Sequence, residues 1–172
     1  MKTRLFLTAL LTCFVGLVRS AGSDSELPSK ATTDKSEYRK FTLENGMKVI
    51  LLSDPDLNLS SASVAVKVGS MGDPAERQGL AHFLEHMLFL GTEKYPEEGE
   101  YKKYLNSNGG YSNAYTSMEL TNYQFEVAHH AFEGAVDRMA QFFIAPLFTA
   151  EFTEREMKAV DSEFERNLQR DV

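Results

Sequence analysis

The residues predict an α+β fold, a mixed or antiparallel sheet of about five strands with about four helices packed on it. Three observations carry this reading. Asn45-Gly46 separates two β-compatible runs, a hairpin signal because both residues tolerate positive φ. Residues 111–117 and 119–128 are rich in aromatic, Thr and Val residues and read as a second strand pair. Helical patterns come in blocks, in the order ββ-β-α-α-ββ-α-α, which is not the alternation of a parallel α/β sheet.

The elements follow in order along the 172 residues. Lys2 and Arg4 precede an apolar run from Leu5 to Val18, and Val18-Arg19-Ser20 offers a small-residue cleavage site before Ala21. Residues 1–20 therefore read as a secretory signal peptide, too short for a comfortable membrane span. Residues 21–37 are polar with few apolar anchors and read as a flexible lead-in. The folded domain is expected over residues 38–172. A hairpin fills 38–54, a loop around Pro55 follows, and Ser61 to Val68 alternate as a third strand. The Gly/Pro/Asp-rich stretch 69–78 feeds an apolar helix at 79–91, and Pro96 interrupts the chain after it. A short helix then places Tyr101, Tyr104 and Leu105 on one side and ends at Gly109-Gly110. Beyond the second strand pair, a helix from His130 carries Phe132, Ala135, Val136, Met139, Phe142 and Phe143 as an apolar stripe, stopped by Pro146. Thr153 and Glu156 have the spacing of a capping box that opens a last helix. That helix is still amphipathic at Val172, so a chain truncated at its C-terminus is expected.

Charge and cysteine usage exclude several classes. Without Lys2, Arg4 and Arg19 of the leader, 18 basic residues become 15 against 25 acidic ones, a formal net charge of −10. Such a chain has no basic cluster for nucleic acid or an anionic membrane, and stable membrane contact after leader removal is not expected. The single cysteine, Cys13, lies in the leader. Disulfides, a thiolate nucleophile and a Cys-rich zinc finger are thereby excluded, and a metal would need His and carboxylate ligands.

Residues 79–91, GLAHFLEHMLFLG, supply two of the four histidines and one acid inside an apolar run. His82 and His86 stand four residues apart and project from one helix face, where two imidazoles can grip one metal ion. Glu85 lies beside His86, close enough to address a water at that metal. The pattern is H-x-x-E-H, the inverted form of the zinc-peptidase H-E-x-x-H. A catalytic zinc site normally has three protein ligands, so one is still required. His129 and His130 are adjacent, their side chains diverge, and they read as a polar strand-to-helix junction. The last helix offers Glu154, Glu156, Asp161, Glu163 and Glu165. Glu156 and Glu163 are two turns apart on one face, but spacing alone does not choose among these acids.

Three segments in sequence order resemble the pitrilysin and insulysin family of inverzincin metallopeptidases. They are GLAHFLEHMLFLGTEKYP (79–96), GGYSNAYTSMELTNYQFEV (109–127) and E-x-x-A-V-x-x-E from Glu156 to Glu163. The resemblance runs from about Tyr38 to the end of the chain. It implies a zinc-dependent metalloendopeptidase that cuts oligopeptides, with one zinc ion (Zn2+) held by His82, His86 and Glu163. It makes Glu85 the general base on the water at the metal and Glu156 a supporting residue. Asn113 matches the family position that lines the site and pairs with a peptide substrate in β fashion. The family architecture also implies further C-terminal domains that close around the substrate. Leu84 stands where insulysin-like members carry Cys, so thiol sensitivity is not expected. The alternatives are a truncated zinc-binding fragment without turnover and a non-catalytic partner subunit, the intact motif counting against the latter. With the leader included the pattern is closer to pitrilysin, which makes the periplasm the expected location.

Overall fold

The computed structural model describes residues 29–168. The proposed leader, residues 21–28 of the lead-in and the last four residues lie outside them. The described chain forms two compact units, divided after Leu57.

The first unit is the expected hairpin. Strands β1 (Glu37–Thr42) and β2 (Lys48–Ser53) pair antiparallel, with Tyr38 opposite Leu52 and Thr42 opposite Lys48. Gly46 takes φ 85 and donates its N–H to the Leu43 carbonyl, while the Asn45 side chain accepts from Met47 N. This is the backbone that Asn-Gly adopts at low cost. Glu37 is already in the strand, one residue ahead of the sequence boundary. Just before it, Ser36 donates to Asp54 Oδ2 at 2.7 Å, which closes the open end of the hairpin.

The second unit holds β3 (Leu59–Val66), β4 (Tyr111–Thr116) and β5 (Thr121–Ala128), in the spatial order β3-β5-β4 and wholly antiparallel. The five strands thus divide into sheets of two and three. The third strand starts and stops two residues earlier than the alternation suggested, because β5 pairs Leu59 with Ala128 and Val66 with Thr121. Four helices complete the unit: α1 (Leu80–Leu88), α2 (Glu100–Ser107), α3 (Phe132–Ile144) and α4 (Ala150–Leu168). Among the described residues no helix is long and apolar enough to cross a membrane.

Central strand β5 sets the core. Its Tyr123, Phe125 and Val127 point to one face, where they join Tyr101 and Leu105 of α2 and Phe142 of α3. Burying each such side chain contributes roughly 1.5–3 kcal/mol. The opposite face is polar, with Ser63 Oγ donating to Asn122 Oδ1 at 2.7 Å. Arg138 of α3 lies 3.7 Å over the Tyr104 ring and forks onto Glu100 at 2.7–3.1 Å, tying α3 to α2. A β-carbon at Gly134 would stand 2.2 Å from Tyr104 Oη, so any larger residue here would have to displace that ring.

Two expectations at helix starts are corrected. His129–Ala131 form a 3-10 turn and α3 begins at Phe132. Helix α4 begins at Ala150, and Thr153 donates to the Thr149 carbonyl from inside it at 3.3 Å. The Thr153–Glu156 capping box is therefore not formed, and the Glu156 carboxylate is engaged elsewhere.

Candidate metal centre

Helix α1 is held at its start by a side chain from six residues upstream. Asp73 accepts the Gly79 N–H on Oδ2 at 2.8 Å and the Ala81 N–H on Oδ1 at 2.9 Å, satisfying donors that a first turn leaves unpaired. Gly79, at φ 89, takes the left-handed turn that admits this approach. Ala81, Glu85, Met87 and Leu88 are buried, which leaves His82 and His86 half-buried, one turn apart, on the side that faces α4.

The two imidazoles converge. Their rings meet edge-on with centroids 4.8 Å apart, and the two Nε2 atoms are 3.2 Å apart. Glu163 of α4 places Oε2 3.4 Å from His82 Nε2 and 3.9 Å from His86 Nε2. One ligand atom from each of the three residues lies within 4.8 Å of the other two. Ligand atoms about 2.0–2.1 Å from one tetrahedral ion stand about 3.4 Å apart, so this nitrogen-nitrogen-oxygen set has zinc dimensions.

The neighbouring carboxylates take different parts. Glu156 Oε2 accepts the Nδ1–H of His86 at 3.0 Å, which fixes the tautomer and leaves the Nε2 lone pair facing the cluster. Its other oxygen accepts from Arg155 Nε at 3.0 Å. Burial works to raise the Glu156 carboxyl, but the hydrogen bonds and charges of His86 and Arg155 outweigh it and hold the group below the usual range. Glu85 is buried on the adjacent side of α1, only 7% exposed, and its Oε2 accepts the Thr116 hydroxyl at 2.5 Å. Thr116 lies 3.4 Å from the Thr121 hydroxyl, which donates to the Val68 carbonyl at 2.9 Å. Tyr123 sits in the same low-dielectric wall, pushed up to about 12 by burial and by the Glu85 charge.

The structure brings together His82, His86, Glu163 and Glu156, with Glu85 beside them. Asn113 stands apart: it is exposed on edge strand β4, three residues from Thr116 and hence on the sheet face turned away from α1. His129 and His130 pair with Ser60 and Asn108 at 2.7 and 3.1 Å, outside the cluster. Sequence reasoning missed Thr116 and Asp73. Asp73 had a visible signal, an acid just ahead of a helix lacking a capping side chain at Gly79; Thr116 had none, since its partner is 31 residues away.

Residues 48–172 match the family model described as insulinase, peptidase family M16. The chain belongs to the M16 family. It is 54% identical to human insulin-degrading enzyme over 144 residues, covering 84% of this chain and 14% of that enzyme. It is 56% identical over 143 residues to insulin-degrading enzyme of Drosophila melanogaster, covering 83% and 14%. The crystal structure of pitrilysin superposes with a TM-score of 0.75 at 42% identity, over 79% of this chain and 14% of pitrilysin. The chain thus spans about one-seventh of the length of these M16 relatives.

Proposed function

We propose that this chain carries the zinc centre of a metalloendopeptidase acting on oligopeptides. The observation that carries the reading is the convergence of His82, His86 and Glu163 beside a buried Glu85 held by Thr116. Relatives named for degrading insulin support peptides as the substrate class.

His82, His86 and Glu163 hold the ion, and Glu156 keeps His86 in the ligating tautomer. When bound, zinc supplies Lewis acidity, making water nucleophilic near pH 7 and polarising the scissile carbonyl. Glu85 takes a proton from the attacking water and returns it to the leaving amine. Thr116 occupies one Glu85 oxygen, and the other makes no hydrogen bond among the described residues, which suits it to that transfer. Strand β4 is a sheet edge in the described chain, so its free backbone groups can pair with an extended peptide, with Asn113 adding a side-chain contact.

The test is a quenched-peptide assay on the 172-residue chain with and without chelator. Chelator-sensitive cleavage is expected. The small share of the relatives' length that the chain spans favours a second reading, zinc binding without turnover. Bound zinc with no cleavage selects it.

A further inference from the structure

Helix α4 supplies both Glu156 and Glu163, yet none of its described residues is buried. Phe152, Glu156, Ala159, Val160 and Glu163 are half-buried at helical spacing, a single thin stripe. Apart from the contacts of Glu156 and Glu163 with the histidines, and Thr153 donating to the Thr149 carbonyl just before the helix, the described side chains of α4 make one polar contact outside it. Arg155 Nη2 donates to Glu98 Oε1, in the loop before α2, at 2.6 Å. The same guanidinium donates from Nε to Glu156 Oε1 at 3.0 Å. Glu156 then has both oxygens committed, one to Arg155 and one to His86.

We propose that Arg155, braced on Glu98, is a positioning residue of the metal centre: it orients Glu156, and through it the His86 ring, and so sets the affinity for zinc. This rests on the reading of His82, His86 and Glu163 as zinc ligands. A guanidinium is suited to the task because its planar fork engages two carboxylates with little loss of freedom per bond, which an ammonium cannot match. An exposed ion pair adds little to folding, so the effect falls on the metal and not on the apo fold. Outer partners of metal-bound histidines typically change affinity about 10–100-fold, and Arg155 acts one step further out.

The experiment measures zinc dissociation constants for the full chain by competition with a chromophoric chelator, beside far-UV dichroism and the apo melting temperature. Arg155→Ala is expected to weaken zinc about tenfold with an unchanged apo melt. Glu98→Ala, an exposed loop change with little risk to folding, weakens it by a smaller factor, and the double variant is no worse than Arg155→Ala alone. Arg155→Lys recovers only part of the loss. If His86→Ala abolishes binding while Arg155→Ala stays within about twofold of wild type, the positioning role is wrong and the zinc reading stands. A fall in the apo melting temperature equal to the loss in affinity assigns Arg155 to the fold and overturns the role. Absent zinc binding by the wild type, or unchanged binding in a His86→Ala, Glu163→Ala variant, removes the zinc reading and this inference with it.

Discussion

Glu85 is a buried carboxylate with one hydrogen-bond partner, and that sets what its neighbours do. Glu85→Gln keeps shape and zinc but cannot accept the proton, so hydrolysis should fall by about 10²–10⁴-fold at unchanged zinc stoichiometry. Retained turnover would remove Glu85 from the base role. Thr116→Val strips the carboxylate of its donor, and leaving a buried acceptor unpaired costs about 1–3 kcal/mol. We expect a lower kcat with zinc affinity unchanged, and recovery in Thr116→Ser, which keeps the hydroxyl. If Thr116→Val keeps its activity while Thr116→Ser loses it, the methyl packing matters and not the hydrogen bond.

At the scale of elements, α1 depends on a cap from outside itself. Asp73→Ala should cost about 1 kcal/mol by unpairing the Gly79 and Ala81 N–H groups, read as a lower melting temperature. Asp73→Asn, which keeps an accepting oxygen, should lose less. Helix α4 is the opposite case, a helix without a buried residue whose alignment on α1 is set largely by the acids that meet the histidines. The periodicity of α1 and α4 was legible in the residues. The first turn of α4 was not, because Glu156 cannot both cap Thr153 and accept from His86, and the tertiary contact prevails.

For the whole molecule, a bound ion joining α1 to α4 adds stability by mass action, about 2.7 kcal/mol at a hundredfold excess over Kd. Chelator should therefore lower the melting temperature of the zinc-loaded chain and leave the His86→Ala, Glu163→Ala variant unaffected. Alkaline pH gives a second handle. Burial, then the Glu85 charge, lifts Tyr123 from 10.0 to about 12, and burial alone lifts Tyr101 as well. A raised folded value means these neutral phenols contribute stability that is fully present below the unfolded value of 10.0 and lost as pH climbs towards their folded values, for Tyr123 through about 12. Unfolding at pH 10–12 should coincide with tyrosinate absorbance, and Tyr123→Phe should shift it upward.

The residues by themselves determined the H-x-x-E-H helix, the Asn45-Gly46 hairpin and the antiparallel strand pair, because each is a matter of local spacing and backbone preference. Glu156 and Glu163 were equally visible as two acids on one face, but their parts were not separable by spacing. Only the tertiary structure decided that Glu163 reaches both Nε2 atoms while Glu156 takes the far side of His86, 70 residues away in the chain. The same holds for Thr116 beneath Glu85 and Arg155 behind Glu156. A metal centre needs donor atoms within a few ångströms of one point, and that convergence is a property of how helices and sheet pack, which no single stretch of chain encodes.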